Sequence, residues 1–484
     1  MWNWIKKHWK NIVAFLIGLG LIILSVFIKR SKLKKWLAVP IFILLSLLGG
    51  YSIYESTQEN PFEPPQTFAA GGDVTFNDTF TDTSGTDLDA HSPDTGDSWT
   101  QVDQKGGSAC PSANDPNLEI SASNTLTTEC TDGTNAGTSY TADATYATSS
   151  YQVKMDCTDC GDNDEYVFSY IRATGATIDS AYTVWDIHPF AGDDPKLSRV
   201  TSNTGCSTLQ TFNNGESWTE GPVIDDGDTV ILQALVDEIL FCDDTDKVCP
   251  LYVTDTNITA AGEAGVGMGA FPCAVGGDLA PADQEIDNFQ AIEVGDTQQG
   301  WNDPTTTGEN NSDWTSASNA FASDGSDATS NTPGNLQDYG DFGFTTSDIE
   351  TVRGIMVKIE WAQFSPFDWG VIDVEISNDN GSTYSTAGWS MIVDGNTDTE
   401  VVFGHAQELW GLTWAAGDLA DSDFRVRIDH QEEQDTSVVI HVDHISVKIV
   451  YDATEAVVDN NAHGQFQCKR GECKIERGIL EVRK

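Results

Sequence analysis

From residue 70 to residue 450 the chain is written in period two. Short apolar runs alternate with polar residues and are separated by Gly, Ser, Thr, Asp and Asn. Tyr151–Met155, Tyr166–Ile171, Thr229–Val236, Ile355–Trp361, Val371–Ile376, Phe424–Ile428 and Val438–Val450 are examples. Successive side chains of a strand point to opposite faces, so the pattern predicts antiparallel sheets with one buried and one wet face. No stretch after residue 55 holds a long 3.6-residue period, which favours β-sandwiches over α/β folds. The reading is all-β, with two sandwich modules in tandem at 70–294 and 295–451.

The front end differs. Residues 1–55 hold eight of the 25 basic residues and one acid, Glu55. Ile12–Ile28 and Trp36–Tyr54 are uncharged runs of 17 and 19 residues. A helix needs about 17–25 such residues to cross a bilayer. Trp9, Trp36, Tyr51 and Tyr54 stand at the run ends, where amphipathic rings favour the interface. Lys29–Lys35 between the runs is too short for anything but a helical hairpin if both runs span. The positive-inside bias then places the link in the cytoplasm and both termini outside. Lys6, Lys7 and Lys10 would have to cross, so a signal-like first run with only the second anchoring is the competing arrangement. Both arrangements put a protein at the cell membrane with residues 56–484 extracytoplasmic. Residues 56–69 read as a stiff, Pro-bearing stalk.

The cysteines fit export. Eight fall between Cys110 and Cys273, two more are Cys468 and Cys473, and the membrane part has none. Even counts in separate blocks suit disulfide-bonded modules. Cys242 and Cys249 flank an acidic turn between two strand-like runs, predicting a hairpin bridge; Cys468 and Cys473 around Lys-Arg-Gly-Glu read the same way. A zinc site from Cys157, Cys160, Cys468 and Cys473 is the sharper alternative, with loose spacing and ligands in separate modules. The tail 452–484 is the one basic stretch beyond the front end, and either forms a small hairpin or is a solvated extension.

Two resemblances add to this. The opening from Phe76-Asn-Asp78-Thr-Phe to His91 and on to Trp99, the segment Asp225-Asp-Gly-Asp228-Thr-Val-Ile-Leu, and the closing Gly262–Gly269 and Ile286-Asp287-Asn-Phe resemble concanavalin A-like, laminin-G-like jelly rolls of bacterial and phage surface proteins. Trp314–Asp324, Asp338–Phe344, Leu409–Trp414 and Val442–Ile449 resemble a jelly-roll repeat of phage and bacterial envelope proteins. The resemblance implies two jelly-roll β-sandwiches, which follow the N-terminal transmembrane helical hairpin expected from the apolar runs. It implies carbohydrate binding or a structural role. It also implies a structural Ca²⁺ between first and last strands, with Asp78 and Asp287 as ligands in the first module and Asp443 in the second.

Catalysis leaves weaker traces. A laminarinase-like strand needs Glu-x-Asp-x-(x)-Glu, and Val371-Ile-Asp373-Val-Glu375 lacks the first Glu. Alternation puts Val371, Asp373 and Glu375 on one face. Ser377-Asn-Asp379-Asn-Gly381-Ser-Thr383-Tyr384 fits the Asp-box pattern of sialidases but occurs once, and is explained as a tight turn. His441 and Asp443 share a strand face and His444 points away, a spacing equally suited to ordinary strand surface. No G-x-S-x-G, H-E-x-x-H, Walker A or dinucleotide fingerprint occurs. Sugar binding calls for exposed aromatics. Of the ten Trp after residue 55, Trp185 and Trp369 have the least core-like context. A net charge of −50 argues against a nucleic-acid partner. The expectation is a non-catalytic surface protein binding glycans or a surface receptor; a glycoside hydrolase and a structural envelope or virion component are the alternatives.

Overall fold

The computed structural model describes residues between 74 and 453, with breaks of which the longest are 106–116, 186–195 and 212–226, together with 473–476 and 479–482. The membrane hairpin, the stalk, Trp369 and Cys468 lie outside the described residues. Among the described residues no helix is long and apolar enough to cross a membrane.

The first sandwich has two sheets. Sheet I runs, in spatial order, Val248–Thr254, Glu238–Asp243, Asp228–Leu235, Tyr151–Asp159, Glu285–Glu293, Leu126–Thr128, Leu118–Ile120, with Val74–Asp78 also on Glu285–Glu293. Sheet II runs Gly205–Thr211, Lys196–Ser202, Ser180–Trp185, Val167–Thr174, Glu263–Gly269, Gly137–Ala142, Trp99–Lys105. Phe76, Trp99, Tyr140, Tyr151, Val153, Val230, Leu232, Val266 and Phe289 from both sheets share one core. The glycine-rich closing strand has a steric cause: a Cβ on Gly265 would stand 2.3 Å from the Tyr170 ring.

The second sandwich repeats the plan. Sheet III runs Thr297–Asn302, Ile440–Ala453, Ile349–Gln363, Thr399–Phe403, with Ala328–Ser330 also on Ile440–Ala453. Sheet IV runs Thr306–Ser312, Leu336–Gly340, Arg425–Glu433, Gly370–Ser377, Trp389–Val393. Trp361, Trp389 and Trp410 are fully buried in its core, not ligand platforms. Cys473–Glu476 and Ile479–Val482 form a separate hairpin in the tail, in which Cys473 pairs with Val482.

One expectation is corrected. Sheet I has no wet face at its Asp228–Leu235 edge. Val230, Leu232 and Ala234 face the first core, while Ile231 and Leu235 join Leu240, Cys242 and Tyr252 in the core of the second sandwich. The strand Glu238–Asp243 is buried along its whole length. The polar residues on this outer face reach the other module. Gln233 Oε1 accepts the Ala406 N–H at 2.7 Å, and Gln152 donates to Gln407 at 2.9 Å. Glu238 accepts from Trp301 Nε1 at 2.6 Å and Tyr252 Oη at 3.0 Å, and pairs with buried Lys448. A strand covered on both sides reads as a near-continuous apolar run, and Val230-Ile-Leu-Gln-Ala-Leu235 is apolar but for Gln233.

A disulfide joins Cys242 and Cys249 across the turn between their strands. Asp244 in that turn contacts Lys154 at 3.2 Å, Lys247 at 2.6 Å and His405 at 3.5 Å. Burial opposes its charge, but His405 and the two lysines hold its carboxyl well below the usual carboxylate range. Lys247 then reaches Glu408 of the second sandwich at 2.9 Å.

Candidate functional site

Among the described residues, no converging group of three or more metal-ligating side chains includes Asp78 or Asp287. Asp78 is buried and fully engaged as an acceptor. Its Oδ1 takes the Phe80 N–H at 2.7 Å and His91 Nε2 at 2.9 Å, and its Oδ2 takes Trp99 Nε1 at 2.6 Å. The residues that carry the first resemblance thus build one buried polar knot, and Asp78 has its donors without an ion. Asp287 sits opposite Asp156 on the neighbouring strand. Burial, with Asp156 adding to it, raises its carboxyl. Asp443 is buried, and its Oδ1 accepts backbone N–H groups of Gly325 at 2.9 Å and Ser326 at 3.0 Å. It alone of the three lies in a converging acidic group, with Glu360 and Asp398. A second such group, Asp228, Asp243 and Asp246, stands where no ligand was expected. Burial and neighbouring Asp228 push the Asp243 carboxyl up to about 7. Trp185 ends the strand Ser180–Trp185, opposite Lys196.

His91 also contacts Asp82 at 3.1 Å. Burial would lower its pKa, but hydrogen bonds to Asp78 and Asp82 raise it above the ordinary 6.5. A raised histidine adds stability that is complete below the unfolded pKa and is lost as pH rises through the folded one. The melting temperature is therefore expected to fall as pH rises above 6.5 more steeply in the wild type than in His91→Asn. Parallel pH profiles for the two chains would remove this assignment.

The outer face of sheet IV carries an organised set of polar side chains. Burial along Gly370–Ser377 alternates, so Ile372, Val374 and Ile376 enter the core while Val371, Asp373 and Glu375 face outward half-buried. Register places Asp338, Arg427 and Glu375 in one row across three strands, and Asp429, Asp373 and Ser390 in the next. Directly opposed residues of an antiparallel pair share a face. Arg427 Nε donates to Glu375 at 2.7 Å, and the guanidinium lies 3.7 Å from the centre of the Tyr384 ring. Asp338 accepts from the Asn311 backbone N–H and side-chain amide, both at 3.0 Å. Ser390 Oγ donates to Asp373. Asp429 takes a 2.6 Å bond from Gln431 on Oδ2, while its Oδ1 is buried with no partner. Burial raises its carboxyl, and Asp373 and Glu375 raise it further.

The Asp-box turn brings Tyr384 to this face. Asp379 accepts the Thr383 backbone N–H and hydroxyl, both at 2.8 Å. Asn380 and Gly381 have φ of 60° and 70°. A Cβ on Gly381 would stand 2.3 Å from Asn310 Nδ2, which donates to the Asn380 carbonyl at 2.7 Å. The motif is a turn that positions an aromatic. Asp373 and Glu375 were visible in the sequence; Arg427, Asp338, Asp429 and Tyr384 were not linked to them, because register between distant strands is not written locally. The outward alternation of Arg425-Val-Arg427-Ile-Asp429 was the available signal.

Scanned against protein families, the chain matches none, and no curated protein matches it. Solved structures do align. A carbohydrate-binding module from Bacillus subtilis, CBM66, is 10% identical over 40% of this chain and 95% of its own, with a TM-score of 0.25. The CBM2 module of an evolved Dit protein of Lactobacillus casei phage J-1 is 11% identical over 46% of this chain and 96% of its own, with a TM-score of 0.28. The exoplasmic domain of VIP36, bound to Ca²⁺ and mannose, is 8% identical over 42% of this chain and 85% of its own, with a TM-score of 0.24. Each alignment spans less than half of this chain and assigns no chemistry to its residues.

Proposed function

We propose that the protein recognises glycans, without catalysis, through the outer face of sheet IV, and that residues 1–55 anchor it in the cell membrane with residues 56–484 outside. The observation that carries the reading is the array of Arg427, Glu375, Asp373 and Asp429, half-buried beside Tyr384 on one sheet; Asp338, in the same row, is buried and held by Asn311. Sugars are bound by polar groups held in fixed directions, since the hydroxyls give little apolar area and ordering flexible side chains costs affinity. Here the half-buried carboxylates accept hydroxyl protons and the clamped guanidinium donates. The uncharged front runs and the disulfide-bonded β modules support the surface location. A glycan array probed with the full chain tests the binding. Retention of selected glycans is expected, and an empty array would contradict the reading.

Glycoside hydrolysis is a second reading, favoured by Asp429. A carboxyl raised by burial and by two neighbouring carboxylates suits a general acid. Release of reducing sugar by the full chain, abolished in Asp429→Asn, would replace binding with hydrolysis as the function.

A further inference from the structure

We propose that the turn after strand Glu238–Asp243 holds a calcium ion between Asp228, Asp243 and Asp246. One carboxylate oxygen from each lies within 4.8 Å of the other two. Calcium binds oxygen at about 2.4 Å, so two ligands on opposite sides of one ion stand about 4.8 Å apart. Three carboxylates with no nitrogen or sulfur donor suit a hard cation.

Asp243 supplies an independent observation. It is fully buried. Its Oδ1 accepts the Thr245 N–H at 2.8 Å and the Asp246 N–H at 3.1 Å. Its Oδ2 is buried and has no hydrogen-bond partner. A buried carboxylate oxygen without a donor is costly, and a cation removes that cost.

The scaffold assembles the three like charges by other means than their own attraction. The Cys242–Cys249 disulfide closes the hairpin around the turn. The Asp244 N–H donates to the Thr229 carbonyl at 2.8 Å, and the Thr229 N–H donates to Thr245 Oγ1 at 2.8 Å. These bonds fix the turn against the start of strand Asp228–Leu235. Lys154 and Lys247 are held by Asp244. The same turn docks on the second sandwich through Lys247 and Glu408, so an ion here braces the junction of the modules. The proposal is independent of glycan recognition.

Calorimetric titration of calcium chloride into the chelator-treated full chain tests it, with Asp243→Asn, Asp246→Asn and Asp287→Asn in parallel. The acidic surface gives a weak unsaturable background in all chains, so the readout is the difference. The wild type and Asp287→Asn are expected to show one saturable site of Kd about 10⁻³ M or tighter, weakened about tenfold or more in Asp243→Asn and Asp246→Asn. Calcium should raise the melting temperature of the wild type and not that of Asp243→Asn. Without calcium, Asp243→Asn should melt no lower than the wild type, because it removes a buried repelling charge. Asp246 is exposed, so its variant still decides the matter if Asp243→Asn fails to fold. No saturable site in the wild type, equal affinity in both turn variants, or loss in Asp287→Asn would overturn the proposal.

Discussion

Replacing Glu238 with Ala is expected to destabilise the folded chain by about 3–5 kcal/mol, because it strands a buried ammonium. Lys448 is 6% exposed and points into the junction of the sandwiches, where Glu238 meets it. Trp301 and Tyr252 lose an acceptor in the same step. The charge, not the contact area, dominates. Glu238→Leu with Lys448→Met should therefore cost clearly less than Glu238→Ala alone, since replacing both partners by apolar groups removes the desolvation cost with the attraction. Guanidinium denaturation of the wild type, the single variant and the double variant measures both effects. Equal losses in the single and double variants would show that packing, not charge, holds the junction.

Asp78→Ala should cost a similar amount, about 3–5 kcal/mol. It leaves the indole N–H of Trp99 and the raised imidazole of His91 without their acceptor, in a core where Trp99 stands 4.8 Å from Phe76 and 5.0 Å from Phe289 between ring centres. Asp78→Asn keeps the shape but turns an amide N–H toward one of those donors, so it should not rescue. A chelator should leave this site unmoved, because its carboxylate is satisfied by protein donors. If Asp78→Asn were as stable as the wild type, the knot would have no structural weight.

How much of this was legible follows from where the information lies. Alternation is local, so Gly370–Ser377 and Arg425–Glu433 could be placed as half-exposed strands from their residues. The Cys242–Cys249 spacing is local too, and so is the Asp379 turn. Pairing between remote strands is not. Nothing near Asp373 indicates that Asp429 lies opposite it, and nothing near Glu238 points to Lys448. The covered face of sheet I was written in a run apolar but for Gln233, but a run of that length also suits a strand buried within its own sandwich. The motif residues around Asp78 were found, but not that His91 and Trp99 donate to its carboxylate. An Asp in a family-like opening suggests a ligand until its donors are seen.

The central claim is that sheet IV presents a fixed polar face to a glycan. It is tested most directly by titrating the glycan retained best on the array into the full chain and into Arg427→Ala and Asp373→Ala. Loss of a hydrogen bond to a charged group is worth about 1.5–3 kcal/mol, so each variant should bind about 10–100-fold more weakly while still unfolding cooperatively. Affinity equal to that of the wild type in both variants would place the binding surface elsewhere on the molecule.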